Sequence, residues 1–108
     1  MNLVNNLDEI INIINKNDFV KAHDMLEDLW REYKNEKDTR EESFILKAFV
    51  NGVVCIELYK MNREQHSFNV WDTYKKYEYL IDKLQTVNSS KYKEIQKLIY
   101  KKREEFIK

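Results

Sequence analysis

Proline is absent from this chain of 108 residues, and glycine and cysteine each occur once. Proline and glycine are the usual punctuation of turns and sheets, so a chain nearly free of both reads as helices joined by polar connections. The lone Cys55 cannot form an internal disulfide. It sits in the apolar run Val53, Val54, Cys55, Ile56, where a buried, inert thiol in a reducing cytoplasm is the expected state. An excess of either charge is missing too, because nineteen basic and nineteen acidic side chains cancel to a formal net charge of zero. Nucleic-acid and acidic-membrane surfaces both rely on a concentrated positive field, which argues against either partner. No stretch approaches the roughly 18 apolar residues of a membrane span, and MNLVNNLDEIINII lacks the basic start and cleavage site of a secretory signal. A glycine-rich phosphate loop, a CxxC pair and an HExxH motif are all missing, which removes P-loop hydrolysis, zinc ribbons and zincins.

What is present is aromatic and helical. Thirteen per cent of residues are aromatic, enough for a single domain over 1–108 to build one core, and a chain of this length removes roughly two thirds of its unfolded surface from water. Leu3, Leu7, Ile10, Ile11 and Ile14 mark a first amphipathic helix, ended by Asn15, Lys16 and Asn17, whose side chains compete for backbone hydrogen bonds. Asp18 is placed to cap a second helix over residues 19–33, followed by a polar loop over 34–40 with no apolar residue. A third helix, from Glu41 or Glu42 to about Tyr59, is apolar around nearly its whole circumference and should be central. A polar break over 62–67 precedes a fourth helix carrying Phe68 to Leu84. Asn88, Ser89 and Ser90 then make a turn before a fifth helix from about Lys91, whose last turn should fray. The fold expected is all-α: a single-domain antiparallel bundle of about five helices around a central third.

One polar pair interrupts an apolar stripe. Phe19, Ala22, His23, Leu26, Trp30 and Tyr33 share a helix face, so His23 points towards the core with Glu27 one turn on, while Asp24 and Asp28 face solvent. The four-residue spacing lets imidazole and carboxylate meet each other or a shared divalent metal, with Glu57 and His66 as further ligand candidates. The simpler reading of the same pair is a core histidine satisfied by a carboxylate for helix registry. Asn51 and Gly52 mark either close helix packing or a small pocket in the third helix, packing being the simpler cause. The binding residues expected are His23, Glu27, Trp30, Asn51 and Glu57, with His23 and Glu27 as the metal ligands if one binds.

Phe19, Ala22, His23, Glu27 and Trp30 together resemble the hallmark helix of the domain of unknown function 309 family: an aromatic residue, an Ala-His-Glu triplet, a further glutamate and a tryptophan. Asp24 stands where the triplet has glutamate. In the next helix Ala48, Phe49, Val50 and Asn51 replace the family's Gly-Leu-Ile-Gln, and Glu57 lies near a frequent histidine. Met61-Asn62 reduces its glycine-asparagine step, and the resemblance fades after about Leu84. It implies an all-helical cytoplasmic domain, bacterial or phage-borne, with a polar cluster on His23 and Glu27, and it brings no activity. The function expected is a small binding or interaction domain with a small ligand, a protein partner or a second copy of itself, and no resident cofactor. Two alternatives stand beside it. One is a metal-dependent hydrolase using His23, Glu27 and Glu57. The other is a phage-type inhibitor that blocks a protein partner through exposed aromatics and charges over residues 74–78.

Overall fold

The structure, a computed structural model, describes residues 3–107, with side chains described from residue 6 onward. Among these residues the chain is all-α, with five long helices, a single-turn helix and no strand. Helix α1 spans Leu3–Asn15, α2 Phe19–Lys34, α3 Arg40–Lys60, α4 Glu64–Tyr77, the short α5 Leu80–Lys83, and α6 Ser89–Phe106. Leu7, Ile10, Ile11 and Ile14 of α1 are buried as their spacing requires, while the Leu3 side chain lies outside the described residues. No helix among the described residues is long and apolar enough to cross a membrane.

α3 lies at the centre, packed by α2 and α4 along its length and by α6 across a third side; α1 closes the remaining gap against α2 and α6. Ile45, Leu46, Ala48, Phe49, Val53, Cys55 and Ile56 are each 0 % exposed, while Lys47, Val50, Asn51, Val54 and Glu57 on the other face are half-buried. Gly52 makes this geometry possible. A methyl group in place of its hydrogen would sit 3.1 Å from Ile99 Cγ2 of α6 and 3.1 Å from Tyr74 Cδ2 of α4. The missing side chain therefore serves helix packing.

With glycine scarce, asparagine makes the sharp helix ends. Asn17 (φ 65°) and Asn62 (φ 63°) adopt the left-handed conformation after α1 and α3. In the first, Asp18 N–H donates to the Ile13 carbonyl (3.1 Å) and Asn17 N–H to that of Ile14 (2.9 Å). In the second, Arg63 N–H donates to Leu58 (2.9 Å) and Asn62 N–H to Tyr59 (3.0 Å). Both are Schellman ends that satisfy the last carbonyls of their helices, and asparagine is the side-chain-bearing residue that tolerates the position best. The α1 stop is thus set by backbone conformation and not by side-chain competition. Asp18 then caps α2, its Oδ1 accepting from Lys21 N–H at 3.1 Å.

Several boundaries differ from those expected. The 34–40 stretch, though exposed, contains a 3-10 turn at Lys37–Thr39, held by Thr39 Oγ1 donating to the Tyr33 carbonyl (2.7 Å). The break after α3 is short, because α4 already starts at Glu64 and buries Ser67, whose Oγ donates to the Cys55 carbonyl at 2.6 Å. The fourth helix does not continue to Leu84. It ends at Tyr77, and a turn redirects Leu80 and Ile81 into the core as α5. α6 starts at Ser89, whose Oγ accepts from Thr86 N–H (2.9 Å). Its last turn does not fray as far as Phe106, which packs edge-on against Phe19 with ring centroids 5.5 Å apart; Lys108 lies outside the described residues.

Two half-buried carboxylates pin α6 to the bundle. Glu42 accepts from the Tyr92 hydroxyl and from Asn88 Nδ2 (3.1 Å). Glu78 accepts from the Tyr100 hydroxyl and from Gln96 Nε2, each at 3.0 Å. Hydrogen bonds to an ionised acceptor are among the stronger ones, and these tie the start of α3 and the end of α4 to the last helix.

Gly52→Val should cost about 2 kcal/mol by overpacking against Ile99 and Tyr74, read from urea unfolding. Asn62→Ala should cost about 1 kcal/mol while Asn62→Gly costs nothing, because only the alanine resists the left-handed conformation. Equal losses in the two Asn62 variants would show that the side chain, not the backbone angle, matters.

Candidate functional site

The stripe on α2 delivers His23 to the seam with α3, where Glu57 arrives from the facing helix. His23 Nε2 donates to Glu27 Oε2 at 3.0 Å, while Nδ1 lies 3.5 Å from Glu57 Oε1. The side chains are 28 % (His23), 31 % (Glu27) and 18 % (Glu57) exposed, so Glu57 is the deepest of the three. Arg31 serves the other oxygen of Glu27 and also reaches Asp28 at 3.3 Å, both on the outer side of the seam. Asp24 and Asp28 are exposed, as their positions on the helix require.

The two carboxylates are not equally provided for. Glu27 has donors on both oxygens, from His23 and Arg31. Glu57 Oε1 is buried with no hydrogen-bond partner, its approach to His23 being an ionic contact without hydrogen-bond geometry. A neutral imidazole carries one N–H, which can serve only one of the two carboxylates. Proper pairing on the Glu57 side needs one more proton, held either by the ring as imidazolium or by the carboxyl itself. Burial pushes the Glu57 carboxyl above its ordinary value of 4.5; the His23 charge pulls it back, and Asp24 and Asp18 push it further up.

Glu57 also lines an open cleft of about 210 Å³ between the start of α2 and the end of α3. Its other lining residues are Asn17, Asp18, Phe19, Val20, Lys60 and Met61. Val20 (61 %) and Met61 (59 %) are the exposed apolar residues at its mouth. Lys60 Nζ lies over the rings of Phe106 (5.0 Å) and Phe19 (5.4 Å).

Of the residues expected to bind, the fold brings His23, Glu27 and Glu57 together. Asn51 lies elsewhere: its Nδ2 donates to the Lys47 carbonyl of its own helix at 2.9 Å. Trp30, two turns beyond His23, is held between the ammonium groups of Lys34 (4.1 Å from the ring centroid) and Lys47 (5.7 Å). His66 is exposed on α4, outside the cluster. Among the described residues no group of three or more His, Cys, Asp or Glu side chains is placed to hold a metal ion, since the two ring nitrogens of His23 address different carboxylates. The surface expected over 74–78 is partly internal. Tyr74 is 0 % exposed and Glu78 is engaged by α6, because α4 turns this face to the core before it ends. Asp18, Lys60 and Met61 were not foreseen as site residues. Asp18 was legible only as a helix cap, and Met61 only as part of a turn.

Residues 7–70 match the model of the family described as "Domain of unknown function (DUF309)". The match covers more than half of the chain, and the chain belongs to that family. It takes in both helices of the seam and the whole cleft, and it stops within α4, before Leu84. No curated protein and no solved structure matches the chain.

A carboxyl whose folded pKa lies above its unfolded value binds its proton more tightly in the native state, so stability rises as pH falls through the folded value towards the unfolded one. Ionised Glu57 is therefore a cost at neutral pH. Glu57→Gln should be more stable than the parent at pH 7, with the advantage shrinking as pH falls through the raised Glu57 value towards 4.5. Urea unfolding of both proteins across that range checks this. An advantage that grows on acidification would contradict it.

Proposed function

We propose that this DUF309 member is a small helical binding domain whose working site is the His23, Glu27 and Glu57 cluster with the cleft beside it. The observation that carries this is the unserved Glu57 oxygen. Two other half-buried carboxylates among the described residues do have donors: Glu42 Oε2 accepts from Tyr92 and Asn88, and the two oxygens of Glu78 accept from Tyr100 and Gln96. A group kept only to lock two helices in register gains from the same saturation, since an unpaired buried acceptor costs about 1–3 kcal/mol. Unmatched, pKa-shifted groups beside a cavity are characteristic of binding and catalytic sites. The exposed Val20 and Met61 at the mouth support contact with another molecule, because apolar surface at the rim of a polar site gains when covered.

The test replaces the polar pair across the seam as a unit. Removing one member strands the other, whereas apolar replacement of both removes the electrostatic cost. The double variant His23→Leu with Glu57→Met should keep its far-ultraviolet circular dichroism spectrum and gain about 1 kcal/mol in urea unfolding, as when a site kept for function is traded for packing. A loss of more than about 2 kcal/mol would assign the trio to helix registry instead.

A further inference from the structure

We propose that the face of α3 left uncovered between α2 and α4 docks an acidic amphipathic segment of a partner protein, its apolar side chains on α3 and its carboxylates on the cations at the rim. Among the described residues α2 and α4 flank α3 without packing along each other. The strip between them carries Phe44, 37 % exposed, and the half-buried Lys47, Val50 and Val54. These positions recur every three or four residues, so they form one stripe about 15 Å long on the helix. None of them lines the cleft beside Glu57, and this surface is separate from that site.

Lys47 ties the surface together. Its ammonium lies 5.7 Å from the ring of Trp30 on α2 and 5.9 Å from that of Tyr77 on α4, and so spans the strip. Lys34 lies over Trp30 (4.1 Å) and Lys76 over Tyr77 (5.5 Å), while Arg40 Nε donates to the Lys34 carbonyl at 3.2 Å. None of these four cations has a carboxylate partner among the described residues, whose ion pairs fall to His23, Arg31, Lys91, Lys93 and Lys102. In a chain of zero net charge, cations without counter-ions beside exposed apolar side chains make a local positive surface. Carboxylates from a partner supply the missing charges, and its apolar side chains cover Phe44, Val50 and Val54.

The geometry separates this occupant from other anions. Base stacking needs a free ring face, but Trp30 already carries two ammonium groups and Tyr77 is stacked on Phe44, with ring centroids 5.4 Å apart and 18° between the planes. A small anion would meet the ammonium groups and leave the apolar stripe bare. About three turns of amphipathic helix laid along α3 satisfy both.

The probe is a fluorescein-labelled synthetic peptide of about 14 residues, with leucine at helical three-and-four spacing and glutamate elsewhere. A version with lysine for every glutamate and a labelled oligothymidylate of similar length are the comparisons, all read by fluorescence anisotropy. The acidic peptide should bind saturably, at least about tenfold more tightly than either comparison, and more weakly as salt is raised. Nuclear magnetic resonance should show shifts at the Val50 and Val54 methyls. Lys34→Gln with Lys47→Gln should weaken binding roughly tenfold with an unchanged circular dichroism spectrum, and Lys34→Arg with Lys47→Arg should bind as the parent does. The lysine peptide tests the same charge preference on the unaltered protein, whatever the variants do to folding. Absence of saturable binding, equal affinity for the two peptides, or methyl shifts at Val20 and Met61 instead would overturn the proposal. Oligothymidylate binding as tightly as the acidic peptide would assign the surface to nucleic acid and overturn it as well.

Discussion

Between the α-carbon of Gly52 and the side chains of Tyr74 and Ile99 there is room for a hydrogen and little more, a methyl there standing 3.1 Å from both. That close approach lets α4 and α6 lie on α3 at the same level, closing the face of α3 that carries Gly52. The other elements are arranged around this requirement. α2 covers the third face of α3, and α1 fills the space between α2 and α6. The turn after Tyr77 lets Leu80 and Ile81 reach the core, which a straight continuation of α4 would not do.

Packing α2 along α3 has an electrostatic consequence. It places His23 and Glu27 opposite Glu57, and the three side chains end half-buried at a seam that is otherwise apolar. A carboxylate in such a place keeps its charge only if donors surround it. Glu42 and Glu78 meet that condition because α6 carries tyrosines, an amide and an asparagine cap to them. Glu57, near the end of α3, has the imidazole of His23 beside it, which also pairs with Glu27. The asymmetry between these carboxylates separates a candidate site from a structural pin.

Scarcity of glycine and proline shaped the site as well. Both Schellman ends use asparagine, after α1 and after α3, and residues from the two turns, Asn17 and Met61, lie on the same cleft. Most of the helices and their faces were legible from periodicity, since burial of α1 and α3 follows the spacing of their apolar residues. The His23, Glu27 and Glu57 grouping was legible in part, through the four-residue spacing on α2 and the one acid of α3 beyond its first turn. Asn51 and Trp30 were not separable from it by sequence, because polarity and face alone do not show that Asn51 spends its amide on Lys47 or that Trp30 is flanked by lysines. The interior location of Tyr74 was equally hidden: a tyrosine among lysines reads as surface until the turn into α5 commits its face to the core.

By itself the amino-acid order determined that the chain is helical, that the third helix is central, and that a histidine and a glutamate share a face of the second, because each follows from local spacing and from the absence of turn-forming residues. The family, too, is written in those local positions. Only the tertiary structure decided which oxygen finds no donor and where the cleft opens. Both depend on residues tens of positions apart meeting at one end of the α2 and α3 seam, with Asp18, Glu57 and Met61 brought together by two left-handed asparagine turns. Periodicity encodes which side of a helix is buried; it carries no information about the register at which two helices meet, and that register fixes the electrostatics of the site.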